Sequence, residues 1–207
     1  MTSLRFDELQ QRLEDLRRHF LPVEFDETGT YDDVVYEHAR AFRVLSHAEF
    51  EAFIEDRALY VLNEDFRRWE DSGVTSLSLL AAVAFRESVH AMPESLNDAI
   101  QNKRKYPSLE DRIKAAKNDF STYVRTRNHG IREKNLIKLL MPLGFSEIDL
   151  DITWVAATDA WAMERGKVAH ASGKMQVRPD PQVEWKTVNT ILKGFRDIDE
   201  MMSRRIN

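Results

Sequence analysis

Apolar residues return every three or four positions through long stretches of this chain, the spacing that lines one face of a helix. The pattern predicts an amphipathic helix over residues 4 to 20. Further helices follow, roughly Asp32 to Glu70, Ser76 to His90, Ser95 to Lys105, Ser108 to Thr126, Glu133 to Met141, Leu150 to Val168 and Gln182 to Arg204. Between the first two lies "LPVEFDETGTYDD", where Pro22 and Gly29 make a hinge or strap. The predicted organisation is an N-terminal helix and linker over residues 1–31 and a helical domain over 32–207. Only seven Gly and six Pro punctuate the chain, and helix-period segments dominate, so the fold class is all-α.

The long second helix departs from simple amphipathicity. At 100° per residue its apolar arc is centred on Val34, Val35, Ala41, Phe42, Leu45, Ala48, Ala52, Phe53, Leu59 and Tyr60. His38, Glu49 and Asp56 fall in the middle of that arc, within a wedge of roughly 20°. Glu37, Arg40, Arg43, His47, Glu51 and Glu55 lie on the opposite, polar side. Two readings follow for the three polar residues in the arc. They make buried hydrogen bonds or ion pairs to neighbouring helices, as buried polar groups must, or the helix backs a polar pocket in which Glu49 or Asp56 orients a cationic catalytic group.

Composition narrows the function classes. The chain has no Cys, which removes disulfides, thiolate metal sites and cysteine nucleophiles. The N-terminal stretch lacks the apolar run of a signal peptide, and nowhere do about 18 apolar residues follow one another, so a soluble, cytoplasmic chain without a membrane span is expected. The formal net charge of -5 argues against coating nucleic acid through global charge. Any such contact needs a local patch.

One local patch is "YVRTRNHGIREKNLIKLLMPLG", in which Arg125, Arg127, Arg132 and Lys134 stand against a single Glu133 near the break "NHG". A helix N-terminus after Gly130, ringed by arginines, would make a phosphate site. The same residues also make an ordinary helix–loop–helix corner, since Asn128 tolerates the left-handed conformation and Gly130 stops a helix.

The second candidate is "ERGKVAHASGK", Glu164 to Lys174, which follows an apolar helix bearing Leu150, Trp154, Ala157, Trp161 and Val168 at helical spacing. Arg165 and His170 lie five positions apart, about 140° around a continuous helix, so they share a face only where the helix loosens; Gly166 and "HASGK" supply residues that allow it. No His-rich or acid-rich cluster with metal spacing accompanies them, nor a phosphate-binding Gly-rich loop, nor a serine nucleophile elbow. What remains is a proton-transfer group of near-neutral pKa beside a permanent phosphate-binding cation. That pair suits metal-free RNA cleavage, with histidine moving the proton of the ribose 2′-hydroxyl or of the leaving oxygen and arginine stabilising the phosphorane. The structural alternative makes Arg165 a cap of the helix carboxyl end and His170 a turn residue.

The segment "RGKVAHAS" resembles the R-x-x-x-x-H signature of the HEPN superfamily. "NHGIREKNLIKLLMPLG" and "VVYEHARAFRVLSHAEFEAFIEDR" resemble its RiboL-PSP-HEPN branch, and the likeness covers most of residues 32 to 205. The resemblance implies a HEPN-type helical bundle, here with an extra N-terminal helix, commonly paired about a two-fold axis so that both subunits bring arginine and histidine to one cleft. It implies Arg165 and His170 as the catalytic pair, with no metal and no cofactor. Asn128 and His129 match the branch's second motif. Arg132, Glu164, Lys167, Ser172, Glu49 and Asp56 complete the candidate substrate-binding or supporting set. Gly166 stands where many members carry a polar residue.

The helix from Leu150 also argues for pairing on its own residues, because Ile152, Val155, Ala162 and Met163 lie opposite its tryptophan stripe and a helix apolar on both sides needs partners on both. Other helices of the same chain are the competing cover. The function expected is a metal-independent endoribonuclease leaving 2′,3′-cyclic phosphate ends, the toxin or effector of a prokaryotic defence or toxin–antitoxin system. Its partners would be RNA, a second copy of the chain and an antitoxin or other inhibitor protein. The alternatives are a catalytically inactive HEPN module that binds RNA or a partner protein, and a helical adaptor whose polar core residues only fix helix register.

Overall fold

The computed structural model describes residues 1–86, 92–170 and 178–206, and for residues 165–170 the helical backbone alone. Among them the elements are α1 (Leu4–Phe20), α2 (Asp33–Ser72), α3 (Leu77–Ala84), α4 (Leu96–Gln101), α5 (Leu109–Thr126), α6 (Glu133–Leu140), α7 (Ile152–His170) and α8 (Pro181–Ile206), with 3-10 turns at Met141–Leu143 and Glu147–Asp149. No strand occurs among the described residues, and none of their helices is long and apolar enough to cross a membrane. The helix starts follow side-chain capping. Ser3, Asp32, Ser76, Ser95 and Ser108 each accept a hydrogen bond from the backbone N–H three residues on. Gly73 ends α2 in the left-handed region at φ 72°.

The 40-residue α2 is the axis of the bundle, packed against α1, α3, α5, α6, α7 and α8. Its Phe50 and Phe53 meet Phe195 of α8 at centroid separations of 5.0 and 5.8 Å, and Phe6 of α1 and Trp154 of α7 close the aromatic cluster from either side. α1 contributes Phe6, Leu9, Leu13 and Leu16 to this same core. Ser3, its cap, donates from both its N–H and its hydroxyl to Asp199 of α8 at 2.6 and 2.8 Å. Asp199 in turn accepts from Nε of Arg57 on α2 at 2.6 Å, so one fully buried carboxylate ties three helices together.

The packing of α2 departs from the faces its periodicity predicts. Arg40 and His47, assigned to the polar side, are only 7% and 2% exposed, and Arg43 is bonded to Glu184 of α8. Residues from the centre of the predicted apolar arc meet α1 instead: Glu49 accepts from Nε of Arg12 at 3.0 Å, and Asp56 accepts from Nε of Arg5 at 2.9 Å. Val34 and Tyr60, also assigned to that arc, are exposed. The exposed positions of α2 form one stripe through His38, Ala48, Ala52, Asp56, Tyr60 and Arg67, so the helix has a solvent-facing side and the periodicity assigned that side to the core.

α7 is likewise corrected. Val155 and Ala162 are buried in this chain's own core together with Trp154 and Trp161, while Ile152 and Met163 remain exposed. The α7 backbone continues helical through Gly166 to His170 without the loosening its sequence suggested.

Gly194 of α8 marks the tightest approach. A Cβ there would fall 2.2 Å from Trp154, whose indole N–H donates to the Ile191 carbonyl at 3.1 Å and so holds the ring in place. Gly194→Ala gains about 1 kcal/mol of helix propensity but meets an overpacking cost of typically 1–3 kcal/mol. At so short a distance the cost should win. We expect a net loss of roughly 1–2 kcal/mol in urea unfolding; a variant as stable as the parent would contradict the packing described.

Candidate functional site

The site is built around the turn between α5 and α6. α5 ends at Thr126, where the Arg127 N–H still reaches the Tyr123 carbonyl, and the chain then turns through Asn128, His129 and Gly130 before Arg132 caps α6. Gly130 takes φ 116°, a conformation that favours glycine; Asn128 itself does not adopt positive φ. The Asn128 side chain is 3% exposed and works as the hub of the turn. Its amide donates to Glu55 Oε1 at 2.7 Å and to the Gly130 carbonyl at 3.2 Å. Its oxygen accepts from Asn135 Nδ2 at 3.0 Å and from the Tyr123 hydroxyl at 3.4 Å. A buried amide satisfied on both ends fixes its loop, because each lost bond would leave a desolvated polar atom.

α2 supplies the other half of these bonds. His47, Glu51 and Glu55 follow at four-residue intervals along one face. Glu51 Oε1 accepts the Gly130 N–H at 2.6 Å, and the buried His47 ring lies against Gly130, where an added Cβ would come within 3.4 Å of it. Burial raises the Glu55 carboxyl above its ordinary value, and the charges of Glu51 and Asp56 add to this, while the Asn128 hydrogen bond and His129 oppose it. Burial, with the charge of Glu55 behind it, also raises the Tyr123 phenol.

α7 closes the arrangement. Its Trp161 stacks on His47 at 5.9 Å with 27° between the rings and donates its indole N–H to Glu184 at 3.2 Å. Asp159 takes Arg132 in a two-pronged pair at 3.0 and 3.2 Å and accepts the Glu133 N–H at 3.0 Å. The N-terminus of α6 therefore faces a carboxylate of this chain, and the segment forms a helix–loop–helix corner. The Arg132 hydrogen bond is the main cause holding Asp159 below the usual carboxylate value.

The predicted residues divide as follows. Asn128 and Arg132 join α2 and α7 at the corner, and His129 stands exposed beside them. Glu164 is half-buried on α7. Arg165 and His170 occupy the final turns of α7, as does Lys167, but their side chains lie outside the described residues; Ser172 lies there entirely. Glu49 and Asp56 are engaged with Arg12 and Arg5 of α1, on a different side of α2 from Glu51 and Glu55. Sequence reasoning passed over Glu51, Glu55, His47, Asp159 and Trp161. The available signal was two glutamates at i and i+4, a like-charge spacing that disfavours a bare helix and calls for outside partners.

The family model of RiboL-PSP-HEPN matches residues 7–204. No curated protein and no solved structure matches the chain.

Asp159 allows a test of the corner. With its pKa lowered, the stability it lends is complete above the ordinary carboxylate value of 3.8 and is lost as pH falls through the lowered value. Asp159→Ala should cost roughly 0.5–1 kcal/mol at pH 7, as for a helix cap on a partly solvated side chain. The gap from the parent in urea unfolding should narrow towards pH 3. A gap independent of pH would show that the carboxylate charge plays no part.

Proposed function

The chain belongs to the RiboL-PSP-HEPN family, and on that premise we propose that it is a metal-independent endoribonuclease. The observation that carries the reading is the family match spanning the stretch in which Arg165 and His170 stand five positions apart on the last turns of one helix. In this reaction the ribose 2′-oxygen forms a bond to phosphorus, the bond from phosphorus to the 5′-oxygen breaks, the 2′-hydroxyl proton is removed and the 5′-oxygen is protonated. The products are a 2′,3′-cyclic phosphate and a 5′-hydroxyl. His170 is the group that moves a proton and Arg165 the one that carries phosphorane charge.

Two features support RNA as substrate and a pair of chains as the working unit. A groove of about 740 Å³ between α3, α5 and α6 is bordered by Arg127 and Lys138 with Phe85 and Tyr123, a cationic edge beside aromatic faces of the kind that holds single strands. It adjoins the Asn128 hub through the Tyr123 hydroxyl. Ile152 and Met163 leave an apolar strip on the outer side of α7 for a second copy, and two histidines in one cleft would provide an acid and a base together. The biological reading that accompanies this is a toxin or effector restrained by an inhibitor protein.

The test is cleavage of structured RNA by the purified chain in chelator. Cleavage should persist, require the 2′-hydroxyl and leave cyclic phosphate. His170→Ala should lower the rate about 10²- to 10⁴-fold, and Arg165→Lys should also fail, since an ammonium cannot reproduce the guanidinium fork. Activity that vanishes in chelator and returns with magnesium would reject the metal-free reading. RNA bound but uncut would leave the binding module, for which Gly166 beside Arg165 would then be the first residue to examine.

A further inference from the structure

Three polar residues of α2 sit where no site residue was sought, and each touches the turn or the helix that carries the proposed chemistry. Glu51 holds the Gly130 N–H at 2.6 Å and Glu55 holds the Asn128 amide at 2.7 Å. His47, 2% exposed, lies between Gly130 on one side and Trp161 on the other. Trp161 stands one helical turn before Arg165. A second strut runs beside the first: Arg132, two residues after Gly130, is clamped to Asp159 of α7.

We infer that Glu51, Glu55 and His47 are positioning residues, which set the Asn128–Gly130 turn against α7 and thereby fix the height and rotation of the helix bearing Arg165 and His170. The physical case is the cost of leaving these contacts unmade. Two carboxylates four residues apart repel each other on an isolated helix. Here each is matched by a donor whose own position is over-determined, one a backbone N–H at a φ that favours glycine and the other an amide with all its bonds engaged. The turn can therefore shift only by breaking several buried and partly buried hydrogen bonds at once. The offset ring contact of His47 with Trp161, 27° from parallel, passes that restraint on to α7. Catalytic geometry is sensitive at this scale, a displacement of about 1 Å costing on the order of 10²-fold in rate.

The inference rests on the endoribonuclease reading for its activity arm and on geometry alone for its structural arm. In the first arm, Glu51→Ala and Glu55→Ala should lower kcat roughly 10- to 100-fold with KM little changed. Glu51→Gln and Glu55→Gln keep an oxygen that accepts the same N–H and should retain most of the activity with an unaltered pH profile. Glutamine variants as impaired as the alanine ones would make these carboxylates proton-transfer groups and overturn the positioning role. Alanine variants with full activity in their folded fraction would reduce them to structural residues and overturn it equally. The second arm needs no catalysis. Hydrogen exchange in Glu51→Ala and Glu55→Ala should quicken at Gly130 and also at the α7 amides from Trp161 to Glu164, while the amides around Leu9 and Phe195 keep their protection. Quickening confined to Gly130 would show that the turn and α7 are not linked. If the parent chain fails to cut RNA but exchange spreads into α7, the endoribonuclease reading fails and the positioning network stands.

Discussion

A helix face buried against its neighbours can carry polar groups only where another element supplies their partners, and the buried side of α2 carries several. Three stations along it show the consequence. Arg57 meets Asp199, which also holds Ser3, and so joins α2 to α8 and to the start of α1. Arg43 meets Glu184, which also accepts from Trp161, and joins α2 to α8 and α7. Glu51 and Glu55 meet Gly130 and Asn128, and join α2 to the turn before α6. The aromatic core drives collapse, since burying large apolar surface is the dominant favourable contribution. Apolar contacts tolerate sliding, however, whereas a mismatched buried carboxylate does not. The polar stations therefore select one register among the many that an apolar core alone would allow.

The proposed chemistry draws on that selection. Arginine and histidine on the last turns of a helix are useful only if the helix is held at a definite height against the rest of the molecule. The turn at Asn128–Gly130 lies between the axis of the bundle and α7, bonded to the first by carboxylates and to the second by Arg132 and Asp159. An asparagine so deeply buried and so completely bonded organises its surroundings, while the exposed His129 beside it faces the solvent. On the reading proposed above, the end of α7 carries the reacting groups and the turn holds them in place.

Much of the architecture was legible in the sequence. Helix starts at Ser76, Ser95 and Ser108 follow from capping chemistry and are realised as such. The family likeness was readable from three short segments, and the family match extends to residue 7 and so takes in most of α1. The faces of α2 and α7 were not legible. Glu51 and Glu55 resemble an ordinary solvent face until a turn 73 to 79 positions away in sequence is folded onto them. Val155 and Ala162 read as an interface because nothing local reveals that α2, α6 and α8 pack against α7 and leave both residues buried. Long-range pairing decides both cases, and periodicity carries no information about it.

The most direct test of the account is a double-mutant cycle between Glu55→Ala and Asn128→Ala in urea unfolding. If the α2 carboxylate and the turn amide form one clamp, the double variant should be little less stable than Asn128→Ala alone, with an interaction of roughly 0.5–3 kcal/mol between the two sites. Losses that simply add, within about 0.5 kcal/mol, would show that α2 does not hold the turn, and the order built on that contact would fall with it.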